Sequence, residues 1–300
     1  MADVYVVGSL NADHRVRVSR IPMAGETILG SEIVVAAGGK GANQAVAASR
    51  AGAAAIMIGS CGDDADGDVV RTALARQGVD TRHVHVASGS HTGRALITVD
   101  DDGGNTIVVS PGANTLLTQE DVSAGLRPMR AGDFLLLQLE TPEPLVRHAA
   151  RTAADAGGLV VLNAAPVPRG IDGLLDHVNV LVVNEHELAG IASVLGKQAA
   201  RDVDMATLAS ASGAIVICTA GSDGAYVMHE NHIEHVAAPE VEAVDTTAAG
   251  DTFIGYLAAR LAQNAADLLG ACETAVHAAA LAVTREGAID SIPFSTKGQA

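Results

Sequence analysis

Short runs that are apolar at nearly every position, separated by longer helix-like stretches, constrain this chain more than any other feature. The runs are Val4–Val7, Ile56–Ile58, Phe134–Leu139, Leu159–Leu162, Val178–Val183 and Ala214–Cys218. Between several of them lie Asn43–Arg50, Asp68–Arg76, Pro144–Ala156 and Ala206–Ser212, which read as helices. A strand that is apolar on both sides must be covered on both, and parallel strands need crossovers. The pattern therefore predicts a doubly wound α/β sandwich around a parallel sheet. The last third differs, with two long Ala-rich helices expected over Asp251–Ala262 and Ala266–Thr284, joined by a turn at Gln263-Asn264-Ala265 and packed on one face of the sheet. Two further regions, Asp13 to Ala36 and Gly93 to Ser110, alternate like strands without an intervening helix. They are expected to form a small separate sheet, either a lid over a reaction site or a plain hairpin pair. Without a repeat, a low-complexity tract or a Pro-rich linker, the expectation is a single domain over 1–300, with a discontinuous β lid at 13–36 and 93–110.

Composition narrows the partners. The 19 Lys and Arg against 35 Asp and Glu give 19 − 35 = −16, which argues against a nucleic-acid or anionic-membrane surface and leaves small anions to local fields. Cys61, Cys218 and Cys272 are odd in number and sit in apolar company, as in a reducing compartment without disulfides. The N-terminus lacks a basic leader, and no run approaches about 20 uninterrupted apolar residues. A cytoplasmic protein is expected. His229, His232 and His235 flank a Glu230-Asn231 hairpin turn that would put them on different faces, and Asp100 to Asn105 has Pro111 where a calcium loop would close with Glu. Neither is read as a metal site.

Several segments could carry chemistry. In Asp245-Thr246-Thr247-Ala248-Ala249-Gly250-Asp251, small residues open a helix, so the Ala248 to Asp251 backbone could form an anion hole and Asp251 could take a proton from an attacking hydroxyl. An ordinary helix cap by Thr247 or Asp251 explains the run equally well. Gly38-Gly39-Lys40-Gly41-Ala42-Asn43 offers a tight turn with one ammonium and one carboxamide, suited to a polyhydroxylated ligand. It matches neither a Walker loop nor a dinucleotide fingerprint. Asn11 and Asp13 follow the first strand, where α/β sheets place ligands, although both are also common turn residues. Asn184 and Glu187 could hold hydrated Mg²⁺ or simply cap a helix. The loop Thr219 to Gly224 could underlie a purine or enter a hairpin.

In order along the chain, these segments resemble the ribokinase (PfkB) family of carbohydrate kinases. Gly38 to Ala45 is similar to its N-terminal signature and Asp245 to Phe253 to its C-terminal one, with Gly8 to His14, Pro111 to Asn114, Gln138 to Pro142 and Asn184 to Glu187 in family order. The resemblance implies a three-layer α/β/α ribokinase-like sandwich, with a mostly parallel central sheet and a small β-sheet lid. It also implies ATP-dependent phosphorylation of D-ribose at the 5-hydroxyl. By the same resemblance Asn11, Asp13, Gly39, Lys40, Asn43 and Glu140 contact sugar; Asp251 is the base; and Ala248, Ala249 and Gly250 serve the transferring phosphoryl group. Asn184, Thr219, Gly221, Gly224 and Gly250 border the nucleotide, with an adenine-side contact around Val276-His277. Glu187 organises Mg²⁺ through water, and Asp245, Thr247, Ala282, Arg285, Gly287 and Ser291 form a K⁺ site, several through carbonyl oxygens. Asn163-Ala164-Ala165-Pro166 lacks a proline usual at its second position, a change expected to be structural. The chain stops soon after Phe294, so a final helix seen in relatives is expected to be missing. Exposed sheet edges at Asp13 to Ala36 favour a homodimer through the lids. The rival readings are a kinase of the same family for deoxyribose, fructose or a nucleoside, and a non-catalytic sugar-binding protein on the same fold.

Overall fold

The first apolar run becomes the centre of a sheet. In the computed structural model, which describes residues 2–196 and 199–295, β1 (Val4–Val7) lies between and parallel to β4 (Ala55–Gly62) and β8 (Phe134–Leu137), with Val4 opposite both Ala55 and Phe134. Two small-sheet strands, β2 (Asn11–Arg17) and β3 (Val34–Gly38), come between β1 and the first helix α1 (Lys40–Arg50). Helix α2 (Ala65–Arg76) then leads to β5 (Asp80–Ala87), β6 (Gly93–Val99) and β7 (Asn105–Ser110), and α3 (Gln119–Leu126) leads to β8. Beyond it follow α4 (Glu143–Asp155), β9 (Leu159–Asn163), β10 (Val180–Asn184), α5 (Glu185–Val194), α6 (Arg201–Ser212) and β11 (Ile215–Thr219). The hairpin β12 (Ala225–His229) and β13 (His232–Val236) precedes α7 (Ala249–Gln263) and α8 (Leu268–Ala282).

Among the described residues the main sheet runs β13-β12-β11-β10-β9-β8-β1-β4-β5, antiparallel only within the terminal β11-β12-β13 meander. Side chains alternate across it. Val4 and Val6 face a core completed by α1, α2, α7 and α8, whereas Tyr5 and Val7 face one completed by α3 to α6. The two Ala-rich helices do pack on one face. Their small side chains allow close approach to α1, and at Gly255 a Cβ would collide with Ala47 and the Gln44 carbonyl. That approach seats the first turn of α7 directly over α1.

The second sheet has the order β3-β2-β6-β7. It holds onto the body through α2, where Asp66 Oδ2 lies 3.1 Å from His14 Nε2 and accepts from Arg94 Nε at 2.5 Å. Strand alternation expected across 13–36 is interrupted, because residues 18–33 contain no strand. Pro22, with no N–H to donate, and the glycines at 25 and 30 break the ladder there. The Phe134–Leu139 run stops pairing at Leu137, after which Gln138 turns inward and Leu139 donates its N–H to the Ala165 carbonyl. The run at 178–183 shifts to 180–184, and α8 begins at Leu268 because Asp267 caps it through Gly270 N–H. Glu230 and Asn231, at φ 51° and 62°, turn the β12–β13 hairpin, as their sequence suggests. Residues 296–300, where a final helix was at issue, lie outside the described residues.

Candidate active site

Parallel strands bring their carboxyl ends to one side, so the segments after β1, β8, β10 and β11 converge. After β1, the chain passes Ser9 and enters β2 with Asn11 and Asp13. Gly39, at φ 92°, takes the β3–α1 turn so close to this segment that a Cβ would sit 2.9 Å from both the Ser9 carbonyl and the Asn11 N–H. Buried Asn114 clamps the same place. Its Oδ1 accepts the Leu10 N–H at 2.8 Å, while its Nδ2 donates to the Leu10 carbonyl at 3.1 Å and to Asn11 Oδ1 at 2.8 Å. With that oxygen engaged, Asn11 is left with its amide hydrogens for a ligand. Glu140, beyond β8, accepts from Ser9 Oγ at 2.5 Å and from the Lys40 N–H at 3.4 Å. Burial, reinforced by the Glu140 and Asp251 carboxylates, pushes Asp13 up to about 7. The Lys40 ammonium lies among these acids; Asp251 above all, against the cost of burial, holds it above the usual lysine range.

Asp251 stands in the first turn of α7, only 8% exposed. Both of its oxygens are claimed from α1. Asn43 Nδ2 donates to Oδ2 and Gln44 Nε2 to Oδ1, each at 2.9 Å. Ala248 turns the helix start at φ 60° without a side-chain cap, an unusual backbone for a residue with a Cβ. Thr252 N–H reaches the Ala248 carbonyl at 2.8 Å, but at a helix start the N–H groups of Gly250 and Asp251 have no intrahelical acceptor. Asp251 is therefore not the helix cap but a buried carboxylate at the mouth of an anion-attracting turn.

That turn borders a cavity of about 210 Å³ shared with Lys40, Asn163, Asn184, Glu187, Thr219 and Thr246. Asn184 and Glu187 form a reciprocal capping box, with N–H to side-chain oxygen distances of 2.8 and 2.9 Å. Glu187 still lines the cavity. Burial pushes its carboxyl up, against the Asn184 N–H and the Lys40 and His186 charges. Gly221 and Gly224 lie on the adjoining turn, outside the cavity lining; Gly221 is exposed, and Gly224 at φ 99° packs against Val236 and Ala238. Behind α7, Asp245 accepts N–H groups from Thr247 and Gly287, both at 2.9 Å, and Val283 accepts from Val244 and Asp245. Burial acts to raise the Asp245 pKa, yet these hydrogen bonds prevail and hold it below the usual aspartate range. Ala282, Arg285 and Ser291 lie on the same returning segment, with Ser291 Oγ donating to the Ala288 carbonyl at 2.9 Å.

Residues 1–295 match the family described as pfkB family carbohydrate kinase. The chain belongs to that family. It is 38% identical over 290 residues to the ribokinase of Haemophilus influenzae, covering 96% of this chain and 94% of that protein. The ribokinase of Thermotoga maritima superposes with a TM-score of 0.90 at 31% identity, over 98% of this chain and 97% of that one. An Arabidopsis thaliana ribokinase complexed with ribose and ATP superposes at 0.85 with 30% identity, over 98% and 96%.

Within this pfkB frame, the structure gathers Asn11, Asp13, Gly39, Lys40, Asn43, Glu140 and Asp251 at one end of the cleft, and Asn184, Glu187, Thr219 and the Ala248 to Gly250 turn at the other. Ser9, Gln44, Asn114, Gln138 and Asn163 carry no spacing in the sequence that gives them a role. Gln44 donates to Asp251 and, at 3.4 Å, to Asn163; Gln138 donates to Gln44 at 2.6 Å. The available signal was an amide set in an otherwise apolar run, as in Leu136-Leu137-Gln138-Leu139, since a buried amide must find partners.

Proposed function

We infer that this protein transfers the γ-phosphoryl group of ATP to the 5-hydroxyl of D-ribose, giving ribose 5-phosphate and ADP. Family membership and the full-length likeness to ribokinases support the reaction. The observation that carries the mechanism is Asp251, buried and oriented by two amides beside a turn of unpaired N–H groups. Asn11, Asp13, Lys40 and Glu140 orient the sugar through its hydroxyls, and the Thr219 turn borders the nucleotide. Asp251 takes the O5 proton as the O5–phosphorus bond forms and the bond from phosphorus to the bridging oxygen of ADP breaks. The Gly250 and Asp251 N–H groups stabilise the charge that develops on the phosphoryl oxygens.

Mg²⁺ and K⁺ fit the residues present. Glu187 offers a carboxylate on the phosphate side of the cavity, where Mg²⁺, held through water, would neutralise phosphate charge. Asp245, whose N–H donors hold its pKa low, offers a hard carboxylate oxygen of the kind a monovalent cation takes, and carbonyl oxygens of the 282–291 segment would complete the proposed set. The four-stranded sheet acts as a lid within a single catalytic unit. Apolar side chains are exposed on both of its faces, Val35, Leu96 and Val108 on one and Ile107 and Val109 on the other, and such surface suits pairing with the lid of a second copy. ATP as substrate and three buried free cysteines accord with a cytoplasmic enzyme.

The test is ADP release with ATP and a panel of ribose, 2-deoxyribose, fructose and adenosine, run in Na⁺ and K⁺. Ribose should give the highest kcat/KM and K⁺ the higher rate. A preference for another acceptor would overturn the substrate, and ribose binding without ADP release would overturn the activity.

A further inference from the structure

The amide of Gln44 has no part in binding sugar or nucleotide as described above, yet it is fully buried and aimed at the base. Its position in the cluster fixes its polarity. An ionised Asp251 can only accept, so Gln44 must present Nε2 to Oδ1, 2.9 Å away. Gln44 Oε1 then points the other way, where Gln138 Nε2 donates to it at 2.6 Å. The second hydrogen of Gln44 Nε2 faces Asn163 Oδ1 at 3.4 Å, and Asn163 Nδ2 donates to the Val182 carbonyl at 3.3 Å. Gln44 and Gln138 are both 0% exposed, so no water can substitute for either.

Gln138 Oε1 is left without a partner beside Gly8, where any Cβ would overlap it. Turning the Gln138 amide over would set two oxygens face to face. The unpaired oxygen is therefore the cost of a chain that must run from Gln138 through Gln44 to Asp251. We propose that Gln44, polarised by Gln138, is a positioning residue that locks the Asp251 carboxylate in the rotamer that meets the sugar hydroxyl. The proposal rests on the reading of Asp251 as base. The charged groups that bear on Asp251 are Lys40 from α1, Asp13 from β2 and Glu187 from α5, while Glu140 after β8 acts on Asp13 and Lys40. Gln44, like Asn43, is an uncharged donor, and it holds the carboxylate without neutralising it.

The experiment measures kcat, ribose KM and pH–rate profiles for Gln44→Met, Gln44→Glu, Gln138→Met and Asp251→Asn. Gln44→Met should lower kcat about 10²-fold, as misplacement of a reacting group does, while ribose KM moves less than threefold. Gln138→Met, acting one residue further out, should lower kcat roughly tenfold by the same effect. Gln44→Glu is the discriminating variant. Its carboxyl can donate to Asp251 only while protonated, and two carboxyls at that spacing share one proton. Its activity should rise as pH falls from 8 to 6, opposite to the parent, a reversal that mere loss of packing cannot produce. If Gln44→Met does not fold, Gln44→Glu and Gln138→Met decide. A Gln44→Glu profile parallel to the parent, or an unchanged kcat in folded Gln44→Met, overturns the positioning role while an inactive Asp251→Asn leaves the base standing. Undiminished turnover by Asp251→Asn overturns the base and, with it, the positioning.

Discussion

The two ends of the cleft are built from different materials. At the end proposed for the sugar the lining is made of side chains, largely buried and tied to one another: Asn11 to Asn114, Glu140 to Ser9, Asn43 and Gln44 to Asp251. At the end proposed for phosphate it is mostly backbone, on an exposed turn through Thr246 and Gly250, beside an exposed Asn184. A phosphate chain is recognised by charge, which any backbone N–H can serve. A sugar is recognised by the pattern of its hydroxyls, and buried donors and acceptors penalise a mismatched one heavily because they are left unpaired. Substitutions should accordingly act strongly and selectively at the sugar end and weakly at the other.

The largest effect belongs to the residue where the ends meet. Asp251→Asn should lower kcat on the order of 10²–10⁴-fold, with ribose affinity by calorimetry changed only a few-fold. Next comes Asp13→Asn, which removes a charged acceptor. Such hydrogen bonds contribute about 1.5–3 kcal/mol, so ribose KM should rise roughly 10- to 100-fold while ATP KM stays put. Asp13 also makes the sugar end sensitive to pH. With its pKa pushed up to about 7, ribose KM should fall as pH rises through that value, and the dependence should vanish in Asp13→Asn. Stability runs the other way. The folded pKa lies above the unfolded one, so the neutral carboxyl's contribution is complete below about pH 4 and is lost as pH climbs to about 7. The loss is on the order of 4 kcal/mol, visible as a Tm that declines over that window less in Asp13→Asn than in the parent. Smallest of all, Thr219→Ala, whose hydroxyl makes only a 3.4 Å contact to the Val183 carbonyl, should change ATP KM by less than about threefold, in keeping with a surface-weight contact. A Thr219→Ala effect larger than that of Asp13→Asn would erase the contrast between the ends.

The same contrast governs what could be read from the sequence. The central strands announce themselves because burial on both faces leaves no polar position to break the run. Edge strand β5, Asp-Thr-Arg-His-Val-His-Val-Ala, is half polar and shows no such run. The glycine turn, Asp251 and the Asn184–Glu187 pair carry recognisable spacing. Gln44, Gln138 and Asn114 do not, because each takes its meaning from a partner 94 to 207 residues away. The knot around Asp245 is legible only through family resemblance, since the carbonyl groups near it belong to every residue type. Within the expected lid segment 13–36, where strand alternation is interrupted at 18–33, proline and glycine have the stronger local effect.

The central claim is that phosphate passes from ATP to the 5-hydroxyl of ribose. The direct measurement is NMR of the product formed from ribose and ATP, with ³¹P–¹³C coupling locating the ester. A single product coupled at C5, formed with one ADP per sugar, is expected. Phosphate on any other carbon, or ATP turnover with no sugar ester, would contradict it.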